Sequence, residues 1–427
     1  MSKIIRAVKG TRDYYPEQMG VRTWLYQNMR EVSESFGYQE YEGPILESLD
    51  LYAAKSSEEI VEKQSYVFTD RSGDKLILRP ELTPSLARMV AAQQHNLTFP
   101  LRWWSFGPFW RYERPQKGRT REFFQWNIDM VGDPSPEADA ELIIIAGSFL
   151  KKVGLKSGEF KIRVNNRKLM DQELSGLGIT GETLPKVYQL IDRKDKVDQE
   201  AWLHEAEKVG LTDDQIIGLE SILQDKILWK KSPELILIFD LVKNAGMEDI
   251  VSFDPGIIRG LLYYTGTVFE AWDTAGEFRA MFGGGRYDNL VGDVGGKPVG
   301  GVGFAVGDLL LSLLLKRLDR LPETRKTPAE IFITRFDESS LTGALKLGSE
   351  LRAAGYKVTN HIKYEKLGKQ FKYADRIGAK IVLVQGPDEI KNNQVTIKNL
   401  ITGEQQVIAQ SDLLSEISKL LEPHSAS

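Results

Sequence analysis

FWRYERPQKGRTREFFQWNID, residues 109–129, is the stretch whose reading decides the rest of the chain. It sets Arg111, Arg114, Lys117, Arg119 and Arg121 around Glu113 and Glu122, among several aromatics. An apolar run, LRWWSFGPFW, leads into it. The chain breaks at Pro115–Gly118, and EFFQWNID resumes strand character, so a β-hairpin is predicted. Its arms bring guanidinium groups, a carboxylate and an aromatic face to one place. That set suits a nucleotide, because planar guanidinium forks grip phosphate oxygens and a ring covers a base. Taken alone, an amphipathic hairpin with a solvated charged loop explains the same residues.

Working outward, apolar residues at helical spacing in EQMGVRTWLYQNMREVSESFG predict a helix closing at Gly37, followed by GYQEYEGPILE as a strand ending against Pro44. SYVFTDRSGDKLILRPEL reads as a hairpin, and TPSLARMVAAQQ as a helix with Thr83 as N-cap and Pro84 first inside. Beyond the central hairpin come a helix over 136–152 and a strand at KIRVNN. From about 166 to 246 strand signals give way to charged, Leu-rich helical pieces, which predicts a helical insertion within one β-rich domain. Strands resume at DIVSFDPGIIRGLLYYTGTVFEAWD, FRAMFGGGRYDNLV and GVGFAVG. Adjacent hairpins of this kind predict an α+β domain with a mainly antiparallel sheet, spanning 1–325. After the linker LPETRKTP, strands and helices alternate with short connections, which predicts a small α/β domain over 328–427.

With 427 residues, the chain is long enough for two or three domains. A hydrophobic content of 41% beside 27% charged residues is that of a globular protein with a sizeable core. A net charge of −4 gives no overall polyanion signature, so nucleic acid would have to be met by local patches. The absence of cysteine excludes disulfides, thiolate zinc sites and cysteine nucleophiles. The four histidines, His95, His204, His361 and His424, are scattered, so no metal centre is expected. MSKIIRAVKGTRDYYP has no apolar core of a signal peptide, and no run of 18 apolar residues occurs. A cytoplasmic location without membrane contact is the expectation.

WRYERPQKGRTREFFQ closely resembles the second motif of the class II aminoacyl-tRNA synthetases, and specifically of the histidyl-tRNA synthetase family. The resemblance implies that Arg111 holds the ATP α-phosphate and the substrate carboxylate, that Glu113 accepts from the adenine amino group, that Arg119 reaches the γ-phosphate, and that Phe123 stacks on adenine. IIRGLLYYTGTVFEAW (257–272) is similar to the family's histidine signature, implying that Arg259 contacts the α-phosphate and carboxylate and that Tyr264, beside Tyr263, meets the imidazole. Leu262 stands where the family usually has Asp. GGGRYDNL (283–290) resembles the second histidine signature, with Tyr287 facing the substrate. Glu81, Thr83 and Gln125 match positions that recognise the α-amino group, and an ammonium does need such acceptor oxygens. Asp129 is expected to accept from the imidazole; where relatives carry Glu, the shorter side chain implies less reach or a water bridge.

GVGFAVGDLLLSLLL corresponds to the third class motif, but Asp308, Leu309 and Leu310 stand where the family generally places an arginine. Either a substitute cation holds ATP, with Arg286 and Arg114 as candidates, or ATP binding is lost; the first is the expectation. The last domain resembles the anticodon-binding domain of these enzymes. Lys366, Lys369, Lys372, Arg376 and Lys380 then form a phosphate-contacting patch rather than only a solvated helix face. The resemblance implies the substrates L-histidine, ATP and tRNA(His), Mg2+ arriving with ATP, two-step ligase chemistry, and a homodimer formed through the first helix and GYQEYEGPILE. The alternative is the inactive synthetase-like paralogue that regulates ATP phosphoribosyltransferase in histidine biosynthesis. A prolyl- or threonyl-specific enzyme is a lesser one.

Overall fold

A computed structural model describes residues 4–53, 64–116, 118–258, 263–278, 280–324 and 326–421. The chain divides into two compact units, residues 1–14 with 21–322 and residues 15–20 with 323–427.

In the first unit, α1 (Pro16–Ser35) buries Leu25, Met29 and Val32, a stripe at spacings of four and three. It ends in a turn at Gly37, whose φ of +80° is the left-handed conformation glycine adopts without a Cβ penalty. The single strand expected at GYQEYEGPILE is two short ones, β1 (Gln39–Glu40) and β2 (Leu46–Ser48), in different sheets. Pro44 lies between them; without an N–H it cannot continue a ladder. After α2 (Leu49–Ala53) comes the expected hairpin of β3 (Tyr66–Thr69) and β4 (Lys75–Leu78), which with β2 makes a three-stranded sheet. Helix α3 (Thr83–Gln93) starts one residue earlier than expected. Leu82 holds the cap position without a side-chain bond, so Thr83 is the first helical residue, not the cap.

The main sheet has eight strands in the order β1-β5-β6-β11-β10-β9-β7-β8. Its members beyond β1 are β5 (Leu101–Trp110), β6 (Glu122–Val131), β7 (Phe160–Asn166), β8 (Val251–Phe253), β9 (Thr267–Asp273), β10 (Phe282–Tyr287) and β11 (Gly301–Gly307). Only the edge pairs β1/β5 and β7/β8 are parallel, so the sheet is mainly antiparallel. Helix α4 (Pro136–Lys152) begins with proline at its start and acidic Glu137 and Asp139 in the first turn, and closes on Lys151 and Lys152, as the helix dipole favours. One face of the sheet carries the core. There Trp126 is fully buried, edge-on to Phe149 at 4.7 Å and to Phe304 at 5.2 Å. The helical segment comprises α5 (Arg167–Gly176), α6 (Thr183–Arg193), α7 (Gln199–Val209), α8 (Asp213–Gln224) and α9 (Pro233–Asn244), inserted between β7 and β8. Short α10 (Leu290–Asp293) and α11 (Asp308–Arg317) complete the unit.

The second unit has a five-stranded sheet, β13-β12-β14-β15-β16, parallel across the first three strands and antiparallel across the rest. The strands are β12 (Ile331–Ile333), β13 (Val358–Asn360), β14 (Ile381–Val384), β15 (Gln394–Asn399) and β16 (Gln405–Ala409). Helices α12 (Leu341–Ala353), α13 (Leu367–Ile377), α14 (Pro387–Lys391) and α15 (Leu413–Leu421) connect or flank them. Among the described residues no helix is long and apolar enough to cross a membrane.

Candidate active site

Strand alternation sorts β6 into two faces. Trp126, Ile128 and Met130 enter the core, so Phe123, Gln125, Asn127 and Asp129 line the opposite face. The register β5–β6–β11–β10 sets Trp103, Asp129, Gly303 and Gly285 in one row across the sheet. The glycines of this row make room for neighbouring side chains. A Cβ at Gly303 would collide with the Asp129 carboxylate, and one at Gly285 would sit 2.8 Å from the Tyr264 ring. Any larger residue at either position would press on the Asp129 carboxylate or the Tyr264 ring.

Around this row the polar groups near Asp129 are already joined. Tyr287 donates its hydroxyl to Asp129 Oδ1 at 2.7 Å, and Tyr263 donates to Glu81 Oε2 at 3.1 Å. The rings of Tyr263 and Tyr264 lie 4.9 Å apart, and Tyr263 meets Tyr287 edge-on at 6.2 Å. Burial pushes the Asp129 carboxyl up to about 7, against the lowering effect of the Tyr287 hydroxyl. The same burial, reinforced by Asp129, holds the Tyr287 hydroxyl well above its ordinary value. Glu81, Asp129, Tyr263, Tyr264 and Tyr287 are therefore joined in one cluster; Thr83 begins α3 two residues after Glu81, and Gln125 continues the same face of β6. Arg259 and Leu262 lie outside the described residues.

The hairpin loop beyond β5 and β6 is built differently. Arg111 donates through Nε to the Pro80 carbonyl at 3.0 Å and lies 5.3 Å from the Phe123 ring. Arg119 and Glu113 form an ion pair at 2.9 Å, with the arginine side chain 44% exposed. Arg121 spans back to the Glu113 carbonyl at 3.2 Å and covers Tyr112. Phe123 packs on Phe109 at 5.9 Å. Arg111, Glu113, Arg119 and Phe123 are thus gathered at one end of the face, with Glu113 and Arg119 neutralising each other.

Arg286 is not available as a substitute cation. It is 4% exposed, pairs with Asp139 at 2.6 Å and donates to the Asp133 and Ser135 carbonyls. A buried guanidinium needs its donors satisfied, and this one is satisfied inside the protein. Arg114 remains exposed on the loop. Leu310 packs on Gly118 of that loop, while Asp308 is buried beside Arg12 at 4.0 Å and Tyr14 at 3.4 Å. Burial raises the Asp308 carboxyl and pushes the Tyr14 hydroxyl up to about 12. The start of α11 is therefore an apolar contact with the loop above a buried acid.

Sequence reasoning missed Arg79. Its side chain is fully buried, with Nε on the Pro108 carbonyl at 3.0 Å and Nη1 on Glu42 at 2.5 Å and the Gly43 carbonyl at 2.8 Å. It ties the β1–β2 connection to β5, two residues before Glu81. The available signal was an arginine at the end of the apolar run LIL. In the second unit, Lys366, Lys369, Lys372 and Arg376 are exposed on or beside α13, together with Tyr373 and Tyr364. Lys380 leaves this patch, since it pairs with Glu330 at 2.7 Å. Among the described residues no three His, Cys, Asp or Glu side chains are grouped to hold a metal.

The family profile "Histidyl-tRNA synthetase" matches residues 10–308, and "Anticodon binding domain" matches residues 330–420. A Histidine--tRNA ligase of Leptospira biflexa is 37% identical over 425 residues, 97% of each chain. One from Thermoplasma volcanium is 37% identical over 429 residues, covering 97% of this chain and 99% of its own. Among solved structures, a histidyl-tRNA synthetase from Nostoc sp. PCC 7120 superposes with a TM-score of 0.82 at 27% identity, covering 98% of this chain and all of the other. By this match over its whole length, the chain belongs to the histidyl-tRNA synthetase family.

Proposed function

We infer that the chain is an aminoacyl-tRNA ligase that activates L-histidine with ATP and transfers it to tRNA(His). The observation that carries this reading is the joined set of Asp129, Tyr287, Glu81 and Tyr263 on the face of β6 that also leads to Arg111 and Phe123. A buried carboxylate flanked by tyrosines fits a ring with two nitrogens, and such a site rejects analogues lacking one. Glu81, Thr83 and Gln125 receive the α-amino group; Asp129, Tyr263, Tyr264 and Tyr287 receive the imidazole.

The histidine carboxylate is already ionised and attacks the α-phosphorus in line, so no general base is required. Arg111 and Arg259 hold the oxygens on which charge develops. Glu113 and Phe123 seat the adenine, and Arg119 exchanges its contact with Glu113 for the γ-phosphate. The substrate is MgATP, the ion arriving on the phosphates as is usual for Mg2+. Histidyl-adenylate and pyrophosphate form, and the terminal hydroxyl of tRNA then takes the histidyl group, breaking the acyl–phosphate bond and releasing AMP and a proton. The domain boundaries that fit this division are 1–325 for catalysis, with the insertion at about 166–246, and 328–427 for the anticodon. Homodimer formation is part of the proposal: Ile4, Ile5 and Val8 are 86%, 94% and 66% exposed, an apolar segment that a second copy would cover. The proposed compartment is the cytoplasm.

The regulatory paralogue reading is disfavoured by the anticodon-type domain at 330–420 and by relatives named as ligases along the full chain. Amino-acid-dependent ATP–pyrophosphate exchange tests the choice. Exchange with histidine alone among the amino acids is expected; silence with histidine, or exchange with proline or threonine, would refute it.

A further inference from the structure

Two polar groups near Asp129 have no assigned work. Asn127 is 5% exposed, on β6 two residues before Asp129 and two after Gln125, on the same face as both. Its amide Nδ2 is buried and has no hydrogen-bond partner among the described residues. Tyr41 extends the β1 pairing, its N–H bonding to the Trp104 carbonyl at 2.8 Å. Its ring lies 5.3 Å from Trp103, the residue paired with Asp129 across the β5–β6 ladder. The Tyr41 hydroxyl is likewise buried and unpaired among the described residues.

The two groups converge. The β1–β5 register runs Gln39 to Trp103 and Glu40 to Trp104, so Tyr41 comes next, beside Ser105, and Ser105 is the β5 partner of Asn127. Tyr41 and Asn127 thus flank one position on the pocket face, in the row between Asp129 and Gln125. Tyr41 also packs into the apolar cluster that contains Tyr287 and touches Tyr263. Burial first, and then the nearby Asp129 carboxylate, hold the Tyr41 hydroxyl well above its ordinary value, ahead of the effects of Glu42, Arg79 and Tyr52. Folded proteins pair nearly all such buried donors, because an unpaired one forfeits its bonds to water. Two such orphans flanking Ser105 on one face of the sheet are donors that a bound ligand, or a water it holds, can satisfy.

We propose that Tyr41 and Asn127 are substrate-contacting residues of the amino-acid pocket, their hydroxyl and amide hydrogen-bonding the side chain of bound histidine directly or across one water. The proposal rests on the histidine reading of this site. It also supplies the reach that Asp129 lacks, since the extra donors stand in the row between the short carboxylate and Gln125. An amide and a phenol are neutral at physiological pH and so select for hydrogen-bonding geometry rather than charge.

The test uses full-length protein with Tyr41→Phe and, separately, Asn127→Leu, in histidine-dependent ATP–pyrophosphate exchange and in thermal melts without ligand. Tyr41→Phe removes one oxygen only. The expected result is a KM for histidine raised about tenfold, the effect of losing one neutral hydrogen bond. With it, kcat stays within about twofold, the KM for ATP is unchanged, and the ligand-free Tm is equal or higher, because an orphan has been deleted. A merely structural role predicts the opposite sign: a lower Tm with substrate constants unmoved. That outcome, or histidine KM values unchanged in both variants, overturns the proposal while the wild-type exchange still upholds the functional reading. If the wild type itself shows no histidine-dependent exchange, the functional reading falls and takes this proposal with it.

Discussion

The two ends of the face formed by β5, β6, β10 and β11 are organised in opposite ways. At the amino-acid end Asp129 and Tyr287 are buried and bonded to each other, and Glu81 holds Tyr263. Their positions are fixed by strands and by the glycines beneath them. At the nucleotide end Arg119 and Glu113 sit on a hairpin loop, partly exposed, and neutralise one another. The difference follows from the ligands. A neutral imidazole is told from other side chains only by hydrogen bonds of fixed geometry, which requires preorganisation. A triphosphate carries enough charge to displace an exposed ion pair, which contributes little to stability on its own. On the proposed assignment, selectivity is built into the rigid end, and the loop end can rearrange around ATP.

The largest expected effect lies at the junction of the two ends. Arg111→Ala should lower exchange kcat/KM by about 1000-fold, as loss of a charged donor to a developing oxyanion does. The fold should be retained, as a melt within a few degrees of wild type would verify. An activity loss below tenfold would mean that Arg111 is no more than a partner of Pro80.

Asp129→Asn probes the rigid end. Histidine kcat/KM should fall roughly 100-fold, the scale of a hydrogen bond to a charged group, with the KM for ATP unchanged. The same variant carries a stability signature. The folded carboxyl sits at about 7, above its ordinary 3.8, so folding favours the protonated form. That contribution is complete below pH 4 and lost as pH rises through 7. At pH 8 the wild type buries a charge that Asn does not, and Asp129→Asn should melt higher, on the order of 5 °C. At pH 5 the gap should shrink to about a third, and it should close only below pH 4. A gap constant across this range would show that Asp129 is hydrated and titrates normally.

Glu113→Gln probes the loop end. It weakens both the adenine contact and the resting ion pair with Arg119, and should raise the KM for ATP about tenfold while leaving the KM for histidine alone. If histidine binding weakened equally, the two ends would not be separable. The smallest effect belongs to the second unit. Lys369→Glu combined with Lys372→Glu should raise the KM for tRNA several-fold, more so at low salt, with exchange unchanged. Salt-independent aminoacylation would reduce these lysines to a solvated face.

The sequence was most legible where local pattern and chemistry coincide. The arms LRWWSFGPFW and EFFQWNID are apolar runs on either side of a loop dense in arginine, and the observed strands are Leu101–Trp110 and Glu122–Val131, the second two residues longer than read. The mainly antiparallel sheet and the helical segment were equally readable, because short strands and Leu-rich helical stretches keep their periods. What failed to show were relations set by long-range packing. Arg286 looks like any loop-proximal cation in sequence, yet its partner Asp139 is 147 residues away. Arg79 and Tyr41 gain their meaning from which strand lies beside them. The strand expected to end against Pro44 does end before it, but the second strand that follows belongs to another sheet, which no local pattern announces.

In the proposed mechanism the amino-acid end is assembled before nucleotide arrives. Calorimetric titration of L-histidine into the nucleotide-free protein tests this directly. Saturable binding of one histidine per chain, abolished by Asp129→Asn and undiminished by Glu113→Gln, is the predicted result. Absence of histidine binding until ATP is added would contradict it, and would mean that the pocket is formed by the nucleotide rather than by the sheet.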